Sequence, residues 1–288
     1  MDMKRVGNIF DGVIERSNLE LAFWKASRGK RCREDQKRFQ AHLDEELSRL
    51  RYGLVNGDYP IGDFRRFTIY DPKEREICAA SFGERVLHHA LMNVCEPYFD
   101  RWLVYDSYAC RKGKGQIAAV KRAREFASRF AWFMKCDFRK YFDTIPHANL
   151  KAARSCRFKD PHVIAWFFRI VDSYEKVTGR GLPIGSLTSQ HFANFYLGPL
   201  DRFVPGTRYV RYMDDFIFWA DDKAALLALR DRLEDFVHKE LDLGLKQRPF
   251  INRTRHGMDF LGMRVFSNAV RLGRAPRARR EGRAPSRP

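Results

Sequence analysis

Apolar and polar positions alternate along this chain in two rhythms, one helical and one strand-like. Over residues 18–30, mixed apolar and basic residues predict a first helix with a loose end at Gly29. From Arg31, apolar residues at Phe39, Leu43, Leu47 and Leu50 fall on one helical face, with charges elsewhere. Gly53, Gly57 and Pro60-Ile61-Gly62 then predict turns. Residues 64–70 alternate as a strand, 71–76 read as a charged turn, and 77–80 as the returning strand. Val86, Leu87, Ala90, Leu91 and Val94 mark a helix expected to stop near Pro97. His88 and His89 within it lack nearby carboxylates or cysteines, which points to a structural role. A basic, glycine-punctuated loop over 105–115 precedes an amphipathic helix carrying Ile117, Val120, Ala123, Phe126, Ala127 and Phe130.

Residues 131–137 are apolar enough for a buried strand. A helical stretch follows from Ile145-Pro146-His147 through Cys156, and Asp160-Pro161 is an N-cap and first-turn pair for a helix over 163–171. Phe192, Phe195 and Tyr196 lie on another helix running toward Pro199. Aromatic and β-branched residues at 209–213 and 216–220 then flank two adjacent aspartates, which predicts a hairpin. Asp221-Asp222 cap a helix with Leu226, Leu229, Leu233 and Phe236 on one face, ending at Gly244, and a last strand is expected near 260–266. The order strand, helix, hairpin, helix, strand predicts an α+β fold, an antiparallel sheet with helices on one face of the split βαβ type.

Composition adds a partner class. The chain of 288 residues has 54 Lys and Arg against 36 Asp and Glu, a net charge of +18. From Arg271 onward there are seven Arg and one Glu, so most of the excess lies before that tail. A balance of this size points to a polyanion. The six cysteines show neither CxxC pairing nor zinc-type spacing and read as reduced thiols of a cytoplasmic protein. No signal-peptide pattern opens the chain and no uncharged run reaches spanning length, so a soluble protein with no membrane partner is expected.

The candidate chemistry lies in carboxylates. Asp214 and Asp215 sit at the tip of the predicted hairpin, where a hard divalent cation would compensate their repulsion. Adjacent aspartates in a turn are ordinarily just solvated. A third, Asp137, ends an apolar strand far away in sequence. Two strand-borne carboxylate sites are what two-metal phosphoryl transfer requires.

Three stretches together carry a family resemblance. Lys135-Cys136-Asp137-Phe138 with Phe142 five residues after the aspartate, then Gly181-Leu182-Pro183-Ile184-Gly185-Ser186-Leu187-Thr188-Ser189-Gln190, then Tyr212-Met213-Asp214-Asp215 resemble motifs A, B and C of reverse transcriptases in order and spacing. The resemblance runs from about residue 60 to 266 and implies a right-hand polymerase fold with palm and fingers. It also implies an RNA-directed DNA polymerase using Mg²⁺, with Mn²⁺ as the alternative, deoxynucleoside triphosphates, a template RNA and a DNA or RNA primer. It makes Asp137, Phe138, Asp214 and Asp215 the metal set. Lys246 takes the place of the motif D lysine that protonates pyrophosphate, and Phe142 the steric gate against ribose. Lys73 and Arg75, in the charged hairpin, occupy positions that meet the triphosphate, together with Ile184, Gly185 and Gln190. Arg85, Arg111, Lys112 and the Phe260-Leu261-Gly262 motif are implied nucleic-acid contacts.

The same resemblance divides the chain into N-terminal helices and fingers (1–114), palm with motif A (115–150), a connection (151–185), the remaining palm motifs (186–266) and a basic tail (267–288). The tail's Pro, Gly and Arg without apolar periodicity predict disorder where the family continues into a helical thumb, so a truncated or absent thumb is expected. Ile184, where group II intron and retron enzymes carry Gln, resembles reverse transcriptases of diversity-generating retroelements. That subgroup implies copying errors at template adenines and a small, basic accessory protein that forms a ring. The alternatives are a group II intron, retron or defence-associated reverse transcriptase, and a non-catalytic RNA-binding protein with a degenerate polymerase fold.

Overall fold

The computed structural model describes residues 5–29, 33–70, 74–203 and 208–273, which leaves Lys73 and residues 274–288 of the predicted tail outside the described residues. The chain folds as two compact units, Met1–Trp102 with Phe142–Tyr196, and Leu103–Tyr141 with Leu197–Pro288. These divisions differ from the sequence boundaries at 114, 150 and 185. Residues 103–114 go with the second unit, and the helix Leu187–Tyr196 after motif B goes with the first.

Aromatic rings build the first unit. Phe99, on the helix Phe82–Trp102, packs against Phe158, Phe167, Phe192 and Phe195. Burial of this cluster explains why that helix does not stop at Pro97 as predicted but runs on to Trp102: one lost backbone bond is outweighed by apolar area on both sides of the proline. Asp160 caps its helix, Pro161–Asp172, by accepting from Val163 N, and its second oxygen accepts from Ile9 N and Phe10 N at the start of the helix Phe10–Ile14.

The apolar face expected from Arg31 is divided between two helices, Glu34–Ala41 and Leu43–Asn56, the second opening on Asp44, Glu45 and Glu46 where negative charge favours an N-terminus. Gly53 does not break it. A Cβ there would come within 2.8 Å of Tyr59 Cβ, so the glycine serves a close approach, and the helix ends instead at Gly57 in the left-handed region. Strands β1 (Arg65–Tyr70) and β2 (Glu74–Ala79) form a two-stranded antiparallel hairpin. The return strand starts earlier than predicted, so Arg75 lies in β2, opposite Ile69, rather than in the turn.

The second unit is built on a four-stranded antiparallel sheet. Its strands are β3 (Trp132–Asp137), β4 (Arg208–Tyr212), β5 (Asp215–Ala220) and β6 (Phe250–Arg253), in the order β4-β5-β3-β6. Phe133, Val210, Ile217 and Trp219 from this sheet join Ala123, Phe126 and Ala127 of the helix Gln116–Arg129 in one core. Asp222 caps the helix Lys223–Lys239 by accepting from Ala225 N. β6 went unpredicted because, as an edge strand with only intermediate and exposed residues, it has no alternating pattern. The single last strand predicted near 260–266 is a separate sheet of β7 (Met258–Phe260), β8 (Met263–Val265) and β9 (Val270–Leu272). The residues from 267 to 273 therefore do not begin a disordered tail: β9 pairs with β8, and Gly273 N donates to Gly262 O. No helix among the described residues is long and apolar enough to cross a membrane.

Candidate active site

β3 and β5 pair so that Asp137 lies directly opposite Asp215. Opposed residues on antiparallel strands share a face, which brings the two carboxylates together from 78 positions apart. Tyr212 pairs with Asp215, which leaves Met213-Asp214 as a two-residue hairpin loop with Met213 at φ 56. Asp214 alone is thus at the tip, and Asp215 opens β5.

Burial pushes the Asp215 carboxyl up to about 6, against the opposing pull of Lys135, whose Nζ donates to Asp215 Oδ2 at 3.2 Å. The same ammonium donates to Asp259 O at 2.6 Å. Lys246 holds Asp137 twice, its backbone N donating to Asp137 O at 2.9 Å and its Nζ to Oδ2 at 3.3 Å. Lys246 therefore stands on the carboxylate cluster, and Lys135 is a member that sequence reasoning missed. A signal existed: Lys135 is the polar residue two positions before Asp137, hence on the same face of an otherwise apolar strand.

Among the described residues, no group of three or more His, Cys, Asp or Glu side chains is arranged so that it could hold a metal ion. The donor set nevertheless suits a divalent ion. It is all carboxylate oxygen, and Asp215 Oδ1 is buried without a hydrogen-bond partner, while the Lys135 and Lys246 ammoniums now supply positive charge that such an ion would have to displace. The Phe138 ring is buried against Tyr141 and Phe216, so only its backbone could serve such an ion.

The hairpin itself is held from beneath. Arg211, fully buried, donates from Nε and Nη2 to Asp201 Oδ1 and Oδ2 at 2.7 and 2.6 Å, and from Nη1 to Met213 O at 3.2 Å. Tyr209 OH adds a bond to Asp201 Oδ1. Burial disfavours the Arg211 charge, but Asp201 more than offsets it.

The predicted nucleotide residues other than Lys73 belong to the first unit. Leu182 N donates to Phe142 O at 2.7 Å, and Cys78 N of β2 donates to Ile184 O at 2.8 Å, so the motif B segment is tied to both Phe142 and the hairpin that carries Arg75. Gly185, at φ 109, lies where a Cβ would meet Ile77 Cγ2 at 2.8 Å. Gln190 is exposed on the helix Leu187–Tyr196. Ser186, next to Gly185, bonds His88 Nδ1 and Thr188 inside the unit, and His88 and Glu84 beside it are buried, so His88 does have a nearby carboxylate, one helical turn away, contrary to the sequence reading.

Three implied nucleic-acid contacts have other partners. The Arg85 guanidinium donates to Ala26 O and lies over Phe82. Arg111 donates to Val104 O and Ser107 O, bracing its own loop, while Lys112 is exposed. Phe260 is wholly buried in the core, so what its motif can present is the Leu261-Gly262 turn, fixed by Gln116 Nε2 donating to Leu261 O.

Comparison with known proteins agrees with this geometry. The family model described as reverse transcriptase (RNA-dependent DNA polymerase) matches residues 71–265. Protein YkfC of Escherichia coli is 23% identical over 81% of this chain and 74% of its own length. The group II intron-encoded protein LtrA of Lactococcus lactis is 24% identical over 56% of this chain, which spans only 28% of LtrA. Among solved structures, the apo telomerase of Candida tropicalis, truncated from its C-terminal domain, superposes with a TM-score of 0.56 at 12% identity, over 73% of this chain and 54% of that one. That likeness concerns the fold, the right-hand polymerase fold with its antiparallel sheet. With the family model covering most of its length, the chain belongs to the reverse transcriptases, the RNA-dependent DNA polymerases.

Proposed function

We propose that this chain copies a template RNA into DNA from a primer, with Asp137, Asp214 and Asp215 as its reaction centre. The observation that carries the reading is the register that sets Asp137 opposite Asp215, one residue from the hairpin tip at Asp214. Those carboxylates would hold Mg²⁺ or Mn²⁺, which supplies charge neutralisation at the triphosphate and activation of the primer hydroxyl. Lys246, already hydrogen-bonded to Asp137, would donate a proton to the departing pyrophosphate. Phe142, half-buried and tied through its carbonyl to Leu182, would crowd a ribose 2′-hydroxyl, and Arg75, exposed on β2, would meet the deoxynucleoside triphosphate.

Within the family, Ile184 supports the diversity-generating subgroup, and a basic ring-forming accessory protein belongs to the same reading. Isoleucine has no donor or acceptor, so a polar contact that a glutamine would make near the nucleotide is lost. One such bond is worth about 0.5–1.5 kcal/mol, roughly a two- to tenfold loss of selectivity. The similarity to LtrA favours the alternative, a group II intron type of enzyme.

Primer extension on an RNA template, with the products sequenced, tests both levels. Asp214→Ala should abolish extension while leaving RNA affinity intact, and extension near the unaltered rate would refute the site. The unaltered chain should misincorporate chiefly opposite template adenines, and Ile184→Gln should reduce that error most. Equal errors at all four bases would leave the group II intron reading.

A further inference from the structure

The end of the palm sheet farthest from the carboxylates carries a second chemical character. β3 runs from Trp132 to Asp137, so its start lies about 17 Å from the aspartates at roughly 3.3 Å per residue. There Arg208 opens β4 and Arg253, opposite Trp132, closes β6. Beside them, Arg129 ends the helix Gln116–Arg129, and Arg255 lies in the short 3-10 turn Thr254–His256. Arg129, Arg253 and Arg255 line one recess of about 330 Å³, with Ser128, Thr254 and Ser267 among its polar groups and no carboxylate in its wall. Asp222 at this end of the sheet is engaged in capping a helix.

The cations are interleaved with aromatic faces. Arg253 lies over Trp132 at 4.9 Å and Lys223 over the same ring at 5.9 Å, while Arg208 lies over Phe130, a wall of the recess, at 4.7 Å. Guanidinium groups stacked on rings are held in place with their N–H edges still turned outward, which is the form that grips phosphate oxygens. All three arginines of the recess are exposed, and no ion pair involving them is found among the described residues. A helix terminus or a single solvated arginine would explain Arg129 alone. It does not explain three guanidiniums from three elements converging on one acid-free recess.

We propose that this recess and its flanking cations form a phosphodiester-binding surface for RNA outside the reaction centre, where it would hold a part of the template molecule that is not being copied. The proposal rests on the template being RNA, as argued above. The surface reads charge and not sequence, since arginine contacts to backbone phosphates position a nucleic acid without specifying it.

The test measures binding without nucleotides, using a fluorescein-labelled stem–loop RNA with long single-stranded arms and, separately, a short RNA–DNA primer–template duplex. The triple variant Arg129→Glu, Arg253→Glu, Arg255→Glu should bind the long RNA at least tenfold more weakly. Its plot of log affinity against log salt should be shallower by roughly two, since about 0.7 counterion is released per single-strand phosphate contact. Extension of the short duplex should be unchanged. The Arg→Lys triple variant should keep most of the affinity, and the Arg→Gln triple variant provides a milder change should the Glu variant not melt cooperatively. Unchanged affinity and salt slope in a folded variant would overturn the proposal and leave the surface to an acidic protein. Equal loss on the short duplex would also overturn it, by assigning these arginines to the reaction centre. Extension by the unaltered chain is read separately, so failure of the polymerase reading and failure of this one are distinct results.

Discussion

Asp137 and Asp215 face each other across β3 and β5, and each carries a lysine of its own, Lys246 on Asp137 and Lys135 on Asp215. Two carboxylates at this separation repel, and the lysines offset that repulsion in the protein as it stands. Lys135 differs from Lys246 in also bonding the carbonyl of Asp259 in β7, so it joins the sheet of the aspartates to the strand that leads into the Leu261-Gly262 turn. Lys135→Met should lower the melting temperature in EDTA, by an amount corresponding to about 1–2 kcal/mol after allowance for partial solvent exposure. Added Mg²⁺ should narrow the gap between the variant and the unaltered chain, because a divalent ion would take over the missing charge. A gap that does not respond to Mg²⁺ would show that Lys135 does not share that role.

What the sequence revealed about this site, and what it hid, divides along local and distant effects. The Asp214-Asp215 hairpin, the Asp137 strand and the caps at Asp160 and Asp222 are local signals, and each was legible from flanking residue types. The partners were not. The spacing of Lys135 shows the face it shares with Asp137 but does not announce Asp215, 80 positions away, and nothing near Arg211 announces Asp201 beneath it. Gly53 and Pro97 read as breakers because their local cost is real. Tyr59 against the glycine and the Phe99 cluster around the proline outweigh that cost, and both act through the tertiary structure. At Phe260 and Arg85 the motif position suggests nucleic acid, and the folded chain adds what the sequence did not show, the burial of the Phe260 ring and the Ala26 carbonyl that accepts from Arg85.

Glu84 supplies a pH dependence. Burial pushes its carboxyl up to about 7, with Gly62 N donating to Oε2 pulling weakly the other way. Beside it, burial holds His88 down to about 3, so the histidine is neutral and offers no counter-charge. The folded chain therefore keeps a proton on Glu84 between about pH 4.5 and 7 that the unfolded chain has released. This contribution to stability is fully present below the unfolded value and is lost as pH rises through 7. Glu84→Gln keeps an acceptor for Gly62 and never ionises. It should melt at a higher temperature than the unaltered chain at pH 8 and at about the same temperature at pH 5. Parallel melting curves across that range would mean that Glu84 ionises freely.

The ion pair beneath the hairpin allows its two effects to be separated. Asp201 and Arg211 are both fully buried, and Asp201 holds the guanidinium through two bonds while Arg211 reaches on to Met213 O in the hairpin turn. Asp201→Ala would leave a buried charge without its partner, a loss of about 3–5 kcal/mol, enough to lower the denaturation midpoint markedly. Replacing both members with apolar residues of similar volume, Asp201→Leu with Arg211→Met, removes the stranded charge and should recover that stability apart from about 1–3 kcal/mol for the bond that Tyr209 OH loses. It does not restore the bond to Met213, which holds a non-glycine residue at positive φ next to Asp214. Extension by the double variant should therefore remain well below that of the unaltered chain even where urea titration shows the fold regained. If the double variant recovers both stability and extension, Arg211 merely fills the core and the turn is set by the hairpin alone.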